Sequence, residues 1–349
     1  MGETPERNDA TKLDEFEIIE RYFAPLAGKG ARFSQSDVET FSLKDDAALI
    51  SSAVGKKLVV TSDSLVSGVH FFGDEPAHLI AKKALRTNLS DLASKAATPV
   101  GYTLSLHLPK GLDEIWFEDF AKGLAADQKQ FGCKLLGGDT VSSPVLAIAI
   151  TAIGESEGVY PARTNAKVGD DIYVTGTLGD SALGLRARQG VLSGLDDEAE
   201  RFLLDRYYLP QPRLDIKAIL DHCAHASMDV SDGLFGDLGK LCKASKLAAQ
   251  VNREELPFSQ HALKTVAQSA DATAWMLEGG DDYEVLFTAP PEHRNFIENN
   301  AQKLSFAVTR IGDIVAQCPK SEVQVGLVSL IDQNGDLILS PTSCHNHRF

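Results

Sequence analysis

The sequence predicts an α/β chain, or α+β if its sheet is mixed, divided into two domains. Three observations lead there. At 349 residues, 43% hydrophobic and 24% charged, the chain is long enough to bury two cores of about 150 residues each. Helix-period segments alternate with short apolar runs along most of its length. The composition also turns polar between Glu155 and Lys167, where Gly158 and Pro161 interrupt the pattern, which predicts domains at 1–157 and 158–349.

Taken in order, Phe16, Ile19, Phe23 and Leu26 fall on one helical face, and Leu58 to Thr61 reads as a short strand entering Ser62-Asp63. A long helical pattern covers Ala77 to Ala96, and a strand follows at Thr103 to Leu106. A helix then runs from Ile115 to Phe131, with a short strand before Gly137 and an apolar strand from Val145 to Ile153. In the second half, strands are expected near Asp171 to Val174, Leu247 to Asn252, Tyr283 to Thr288 and Phe306 to Ile311. Helices are expected near Ser181 to Gln189, Leu214 to His222 and Gly236 to Ala244.

The net charge of −15 argues against a nucleic-acid or anionic-membrane surface, because those partners require clustered Lys and Arg. The polar N-terminus lacks a signal-like apolar stretch, and Val145 to Ile153 is too short to span a bilayer, so a cytoplasmic protein is expected. Five cysteines without a CxxC pair fit reduced structural thiols.

Aspartates recur, most of them where strands are expected to begin or end: Asp45-Asp46, Asp63, Asp139, Asp229 with Asp232, and Asp281-Asp282, with Asp91 inside the long helical pattern. Taken one at a time, such an aspartate reads first as a turn or a helix cap. Their recurrence points elsewhere, since clustered carboxylates repel one another unless cations are present. Mg²⁺ is the expected cation and a polyphosphate its expected companion. Gly137-Gly138-Asp139-Thr140 reads either as an ordinary turn or as a place where backbone amides approach a phosphate. Thr175-Gly176-Thr177-Leu178-Gly179-Asp180-Ser181 reads either as a phosphate loop entering a helix or as a capped glycine turn, and it matches neither GxxxxGK[ST] nor GxGxxG. His70 is the one histidine placed for a substrate contact.

Together these motifs resemble the thiamine-monophosphate kinases, members of the aminoimidazole ribonucleotide synthetase-like superfamily. The resemblance runs through Phe16 to Phe23, Asp45-Asp46-Ala47-Ala48, Thr61 to Val66 with Gly68 to Phe71, Asn88 to Ala93 and Gly137 to Thr140. It continues through Tyr173 to Ser181, Asp229 to Gly233 and Gly279 to Glu284. It implies a two-domain fold with an N-terminal sheet that dimerises into a shared barrel, beside a C-terminal α/β domain, and ATP with several Mg²⁺ ions in the cleft between them. By position, Asp46, Thr61, Ser62, Asp63, Asp91, Asp139, Asp229 and Asp232 are the implied metal set. Gly138, Asp139, Arg163 and Ser231 are implied ATP contacts, and His70, Asp281 and Phe349 implied substrate contacts. Three departures from the family pattern stand out: Lys44 precedes the paired acids where glycine is usual, Asp281 replaces a glutamate, and Phe349 is the only candidate for a C-terminal aromatic.

The implied reaction transfers the γ-phosphoryl group of ATP to thiamine monophosphate, giving thiamine diphosphate. Both reactants are anions, so neutralisation and in-line alignment are the main catalytic problem. The acceptor phosphate is already a nucleophile, and no residue is assigned as a general base. The rival from another class is a non-catalytic nucleotide-binding protein of the same ancestry, motivated by Lys44 and Asp281.

Overall fold

The computed structural model describes residues 15–27, 31–33, 36–39, 49–51, 55–158, 160–192, 194–266, 272–316 and 328–339. The chain forms two compact units, and neither is one continuous stretch. The first takes the described residues of Met1–Val54 with Ser62–Leu85 and Val100–Ala152; the second takes Gly55–Thr61, Arg86–Pro99 and the described residues of Ile153–Phe349.

Early in the chain lie α1 (Glu15–Ile18), a π turn (Ile19–Phe23), α2 (Ala24–Ala27) and a small sheet of β1 (Ala31–Phe33), β2 (Ser36–Glu39) and β3 (Leu49–Ser51). A four-stranded sheet follows, built from β4 (Lys57–Val66), β5 (Thr98–Leu108), β6 (Lys134–Ser142) and β7 (Ala147–Ser156) in the order β4-β7-β5-β6. Its helices are α3 (Ala77–Ser94) and α4 (Glu114–Phe131). Alternation explains which face is covered: β7 buries every second residue, with Ile148, Ile150 and Ala152 inside. Phe117, Phe120 and Leu124 form the buried face of α4, with Tyr22 and Phe23 against the two phenylalanine rings. At Gly123 an added Cβ would stand 2.5 Å from the His78 carbonyl, so glycine is what lets α4 approach α3. Asp113 caps α4 by accepting from Trp116 N, and Gly132 at φ 69° closes its other end.

The sequence ended its first strand at Thr61, whereas β4 runs on to Val66 and holds Ser62 and Asp63 in mid-strand. Gly137 and Gly138 are likewise inside β6 and not in a turn. Gly138 pairs with Leu104 of the parallel neighbour β5, just beyond a register shift, and a Cβ there would sit 1.8 Å from the Leu104 carbonyl.

The second unit carries a seven-stranded sheet, ordered β14-β13-β10-β12-β8-β11-β9 among the described residues. These strands are β8 (Asp171–Thr175), β9 (Ala226–Val230), β10 (Ala248–Asn252), β11 (Glu284–Ala289), β12 (Val308–Val315), β13 (Val328–Ile331) and β14 (Leu337–Leu339). β11 is antiparallel to both β8 and β9, and β13 is parallel to β10, so the sheet is mixed. The helices are α5 (Asp180–Arg188), α6 (Asp197–Tyr208), α7 (Lys217–Cys223), α8 (Leu234–Ser245), α9 (Gln260–Val266), α10 (Ala272–Glu278) and α11 (Arg294–Ala301). Every residue of β8, β9 and β11 is buried, because helices cover both sheet faces. Leu234, Leu238 and Leu241 of α8 pack in one core, and Ile219 and Leu220 of α7 with Ile297 of α11 pack in the other.

Candidate active site

In the second unit, three segments that carry expected site residues are tied together by backbone. Asp281 N donates to Ser231 O at 2.8 Å and Tyr283 N to Val230 O at 2.8 Å, which zips the 279–283 turn onto the end of β9. Glycine permits this closeness: a Cβ on Gly280 would lie 2.2 Å from Ser231 O. Ser90 Oγ of α3 donates to Tyr283 O at 3.4 Å, joining the third segment. Asp229 at the end of β9 and Ser231, Asp232 and Asp281 on the loops at the β9 and β11 ends are therefore gathered together, with Asp91 one residue beyond Ser90. Asp229 is buried, whereas Asp91, Ser231, Asp232 and Asp281 are partly open.

Each carboxylate has a distinct setting. Thr61 Oγ1 donates to Asp91 Oδ2 at 2.5 Å, so these two expected metal groups are partners of one another. Asp232 is paired with the ammonium of Lys240, which also reaches Asp237 Oδ1 at 2.9 Å. Asp237 is fully buried and accepts from Ser231 N at 2.9 Å and Asp232 N at 2.8 Å, which sets the shape of that turn. Burial raises the Asp237 carboxyl above its ordinary range, with Lys240 opposing. Asp281 adopts φ 67°, the left-handed region that Asp tolerates better than most residues, and its Oδ1 accepts from Tyr283 OH at 3.2 Å. Arg163 is exposed on a 3-10 turn (Arg163–Asn165) that Ser245 Oγ anchors by donating to Arg163 O at 2.6 Å.

Lys95 lies just past the end of α3 in the same unit. Its ammonium donates to the carbonyls of Ser227 and Pro161 and stands 5.6 Å from the centre of the Tyr160 ring. Burial lowers its pKa to about 8; Arg163 pushes the same way, and Asp229 and Asp91 oppose.

The glycine loop 175–181 resolves as a capped turn, not a phosphate loop. Gly179 N donates to Asp282 Oδ2 at 2.7 Å and Ser181 N to Oδ1 at 3.4 Å, so the protein's own buried carboxyl occupies the start of α5. Burial raises the Asp282 carboxyl well above its usual range. Asp180 accepts from Thr177 and Ser259 at 2.5 Å each. Glu284, fully buried, is held by Arg206 at 2.7 Å, by both Nε and Nη2 of Arg213, and by Thr175 Oγ1 at 2.7 Å. A side chain at Gly176 would collide with that carboxylate at 2.2 Å, which explains glycine there.

Ser62, Asp63, His70, Gly138 and Asp139, for which roles are expected, lie in the first unit. Asp63 and Asp139 are exposed on β4 and β6. Asp139 Oδ1 accepts from Thr140 N at 2.9 Å, and Ser62 Oγ donates to Ile150 O at 3.1 Å. His70 sits on a tight loop after β4 whose shape is set by Glu75: this buried carboxylate accepts from Phe72 N at 2.9 Å and Gly73 N at 2.7 Å. Val66 N donates to His70 Nδ1 at 3.0 Å, which assigns the neutral ring's proton to Nε2. Asp46 and Phe349 lie outside the described residues.

Among the described residues, no group of three or more His, Cys, Asp or Glu is placed to hold a metal ion. The donors that are present, carboxylates and hydroxyls, have the hard-oxygen chemistry that suits Mg²⁺. That ion is commonly held by one or two carboxylates and completed by water and substrate phosphates. The residues fit that mode. They do not form a cage assembled in advance.

Lys95, Asp237, Lys240 and Glu75 were missed by sequence reasoning. Lys95 had one signal, a lone cation in the small and apolar run Leu92 to Ala97. Asp237 and Lys240 sit three residues apart on α8 and read as an ordinary helix-face pair.

Comparison with known proteins gives the family. Residues 44–156 match the N-terminal domain model of AIR synthase related proteins, and residues 167–324 match the C-terminal domain model. Both models together describe a two-domain AIR synthase related protein. A thiamine-monophosphate kinase from Caulobacter vibrioides is 39% identical over 306 residues, covering 86% of this chain and 84% of that protein. The crystal structure of thiamine-monophosphate kinase from Stenotrophomonas maltophilia K279a is 39% identical with a TM-score of 0.75, over 84% of this chain and 90% of that one. A structure of AaThiL complexed with AMPPCP and TMP is 27% identical with a TM-score of 0.72, over 93% and 94% of the two chains. The chain belongs to the thiamine-monophosphate kinase family of AIR synthase related proteins.

Proposed function

We propose that this chain is an ATP-dependent kinase that phosphorylates thiamine monophosphate to thiamine diphosphate. The observation that carries the proposal is the joining of α3, the β9 end and the 279–283 turn, which gathers oxygen donors on adjacent loops. The relatives, thiamine-monophosphate kinases, supply the reaction that this reading adopts.

Arg163, exposed on an anchored turn, is suited to bind phosphate oxygens of ATP, as are the backbone at Gly138 and the Ser231 hydroxyl. Thr61, Ser62, Asp63, Asp91, Asp139, Asp229 and Asp232 are the proposed oxygen donors for magnesium, which when bound would supply charge neutralisation between two anionic reactants. Lys240 already offsets the charge of Asp232. His70 offers Nε2–H as a donor to the acceptor substrate, and Asp281 offers a carboxylate held in place by Tyr283. No general base is assigned, because the acceptor phosphate is ionised near neutral pH.

The chain is also read as a homodimer. β4 is an edge strand, and Leu58 and Val60 on it are 44% and 61% exposed. Leu104 and Leu106 of β5, by contrast, are buried in the core and offer no such edge. A cytoplasmic location is supported by Cys133, Cys223 and Cys242, which are buried and free. Among the described residues no helix is long and apolar enough to cross a membrane.

The test is turnover of thiamine monophosphate with ATP and Mg²⁺, read as stoichiometric thiamine diphosphate and ADP. ATP binding without transfer would show a nucleotide-binding protein and overturn the kinase reading.

A further inference from the structure

Lys95 is an expensive residue where it stands. A partly buried ammonium loses part of its hydration, and a methionine of similar length would fill the same space without that cost. Its hydrogen bonds give it a task. The ammonium donates to Pro161 O and Ser227 O. Pro161 O also accepts from Ser227 N at 3.1 Å and Ser227 Oγ at 3.3 Å, and Ser227 Oγ donates to Ser94 O. One knot thus joins the end of α3, the turn before Arg163 and the middle of β9. From it, Asp91 lies one helical turn back, Arg163 two residues past Pro161, and Asp229 two residues past Ser227.

We propose that Lys95 is a positioning residue for the nucleotide end of the reaction, its ammonium holding the Arg163 turn and the Asp229 strand in register with Asp91. The inference rests on the reading of Arg163, Asp91 and Asp229 as ATP- and metal-binding groups. Lys95 acts through these segments, because its hydrogen bonds go to main-chain carbonyls. Two of its neighbours in charge, Asp91 and Asp229, are carboxylates that it also helps to balance.

The experiment compares Lys95→Met, which keeps length but removes donors and charge, with Lys95→Arg, which restores both, and with Lys95→Gln in case the methionine variant fails to fold. ATP affinity is measured by calorimetry with Mg²⁺ and no acceptor, and KM and kcat for each substrate by steady-state assay. Lys95→Met or Lys95→Gln should weaken ATP binding about tenfold, on the scale of one hydrogen bond to a charged group. The KM for thiamine monophosphate should stay within about twofold, and Lys95→Arg should recover most of the ATP affinity. Arg163→Ala in the same series tests the underlying site. If Arg163→Ala loses ATP affinity while the neutral Lys95 variants keep it, even with lowered melting temperatures, Lys95 is only a fold support and the proposal is wrong. If Arg163→Ala changes nothing, the site assignment is wrong and the proposal falls with it.

Discussion

Asp171 shows how single charges are spent in this chain. It is fully buried at the start of β8, yet Arg294 forms two bonds of 2.6 Å with it and Arg310 Nε reaches it at 2.5 Å. Burial alone would raise its pKa, but the guanidinium hydrogen bonds and charges outweigh this and hold it below the ordinary carboxylate value. A depressed folded-state pKa stabilises the fold above the unfolded value of about 3.9 and ceases to do so as pH falls through the folded value. Urea titrations should therefore show stability falling in acid below about pH 4, and Asp171→Asn should flatten that acid limb while lowering stability at pH 7. An unchanged acid limb would remove Asp171 from the account. The site carboxylates behave differently. Asp63 and Asp139 are exposed, and Asp91 accepts from the Thr61 hydroxyl, which asparagine would still do. Asp→Asn at these positions should cost about 2–4 kcal/mol of transition-state stabilisation. The metal-free melting temperature should not fall. Variants that melt several degrees lower but turn over normally would make these aspartates fold supports.

Among the elements, the long helices were the most legible. The expected helices 77–96 and 115–131 are α3 (Ala77–Ser94) and α4 (Glu114–Phe131): α4 is half-exposed and writes its period into the sequence, whereas α3, which has no exposed residue, showed as a long run without Gly or Pro. Strand ends were less legible: glycine and aspartate around Asp63 and Asp139 look like turns, but here they serve an edge strand and a bulged pair. α6, α9, α10 and α11 were not anticipated. The aspartates of the site could be read in order, but their partners could not. The role of Asp282 depends on Gly179, 103 residues away, and that of Glu284 on Thr175, 109 residues away. Close packing between elements gives another test. At Gly184 of α5 a Cβ would lie 2.0 Å from Leu203 O of α6. Gly184→Ala should force the helices apart and destabilise the protein by about 1–3 kcal/mol, despite alanine's higher helix propensity. A neutral or stabilising result by chemical denaturation would show that this crossing gives way easily.

For the whole molecule, the proposed assembly rests on the exposed edge of β4. Replacing Leu58 and Val60 by lysine should convert a dimer to a monomer by light scattering at micromolar concentration, because charged side chains on an edge strand oppose pairing. A monomeric parent protein, or a variant that remains dimeric, would remove β4 from the interface.

The discontinuity of the second unit has a consequence for how the chain is made. Gly55–Thr61 and Arg86–Pro99 leave the ribosome well before the strands they belong with. Ser90 must wait for Tyr283, 193 residues later, and Lys95 for Ser227, 132 residues later. Ala93 and Ala96 have no core until α7, β11 and α11 have been synthesised. Such separations raise contact order and slow folding, since the entropy of closing long loops is lost before the contacts that reward it can form. The C-terminal half, released alone from residue 158 onward, would lack part of its own core together with Thr61, Asp91 and Lys95. The segments proposed to form the site therefore cannot be transplanted as one contiguous cassette.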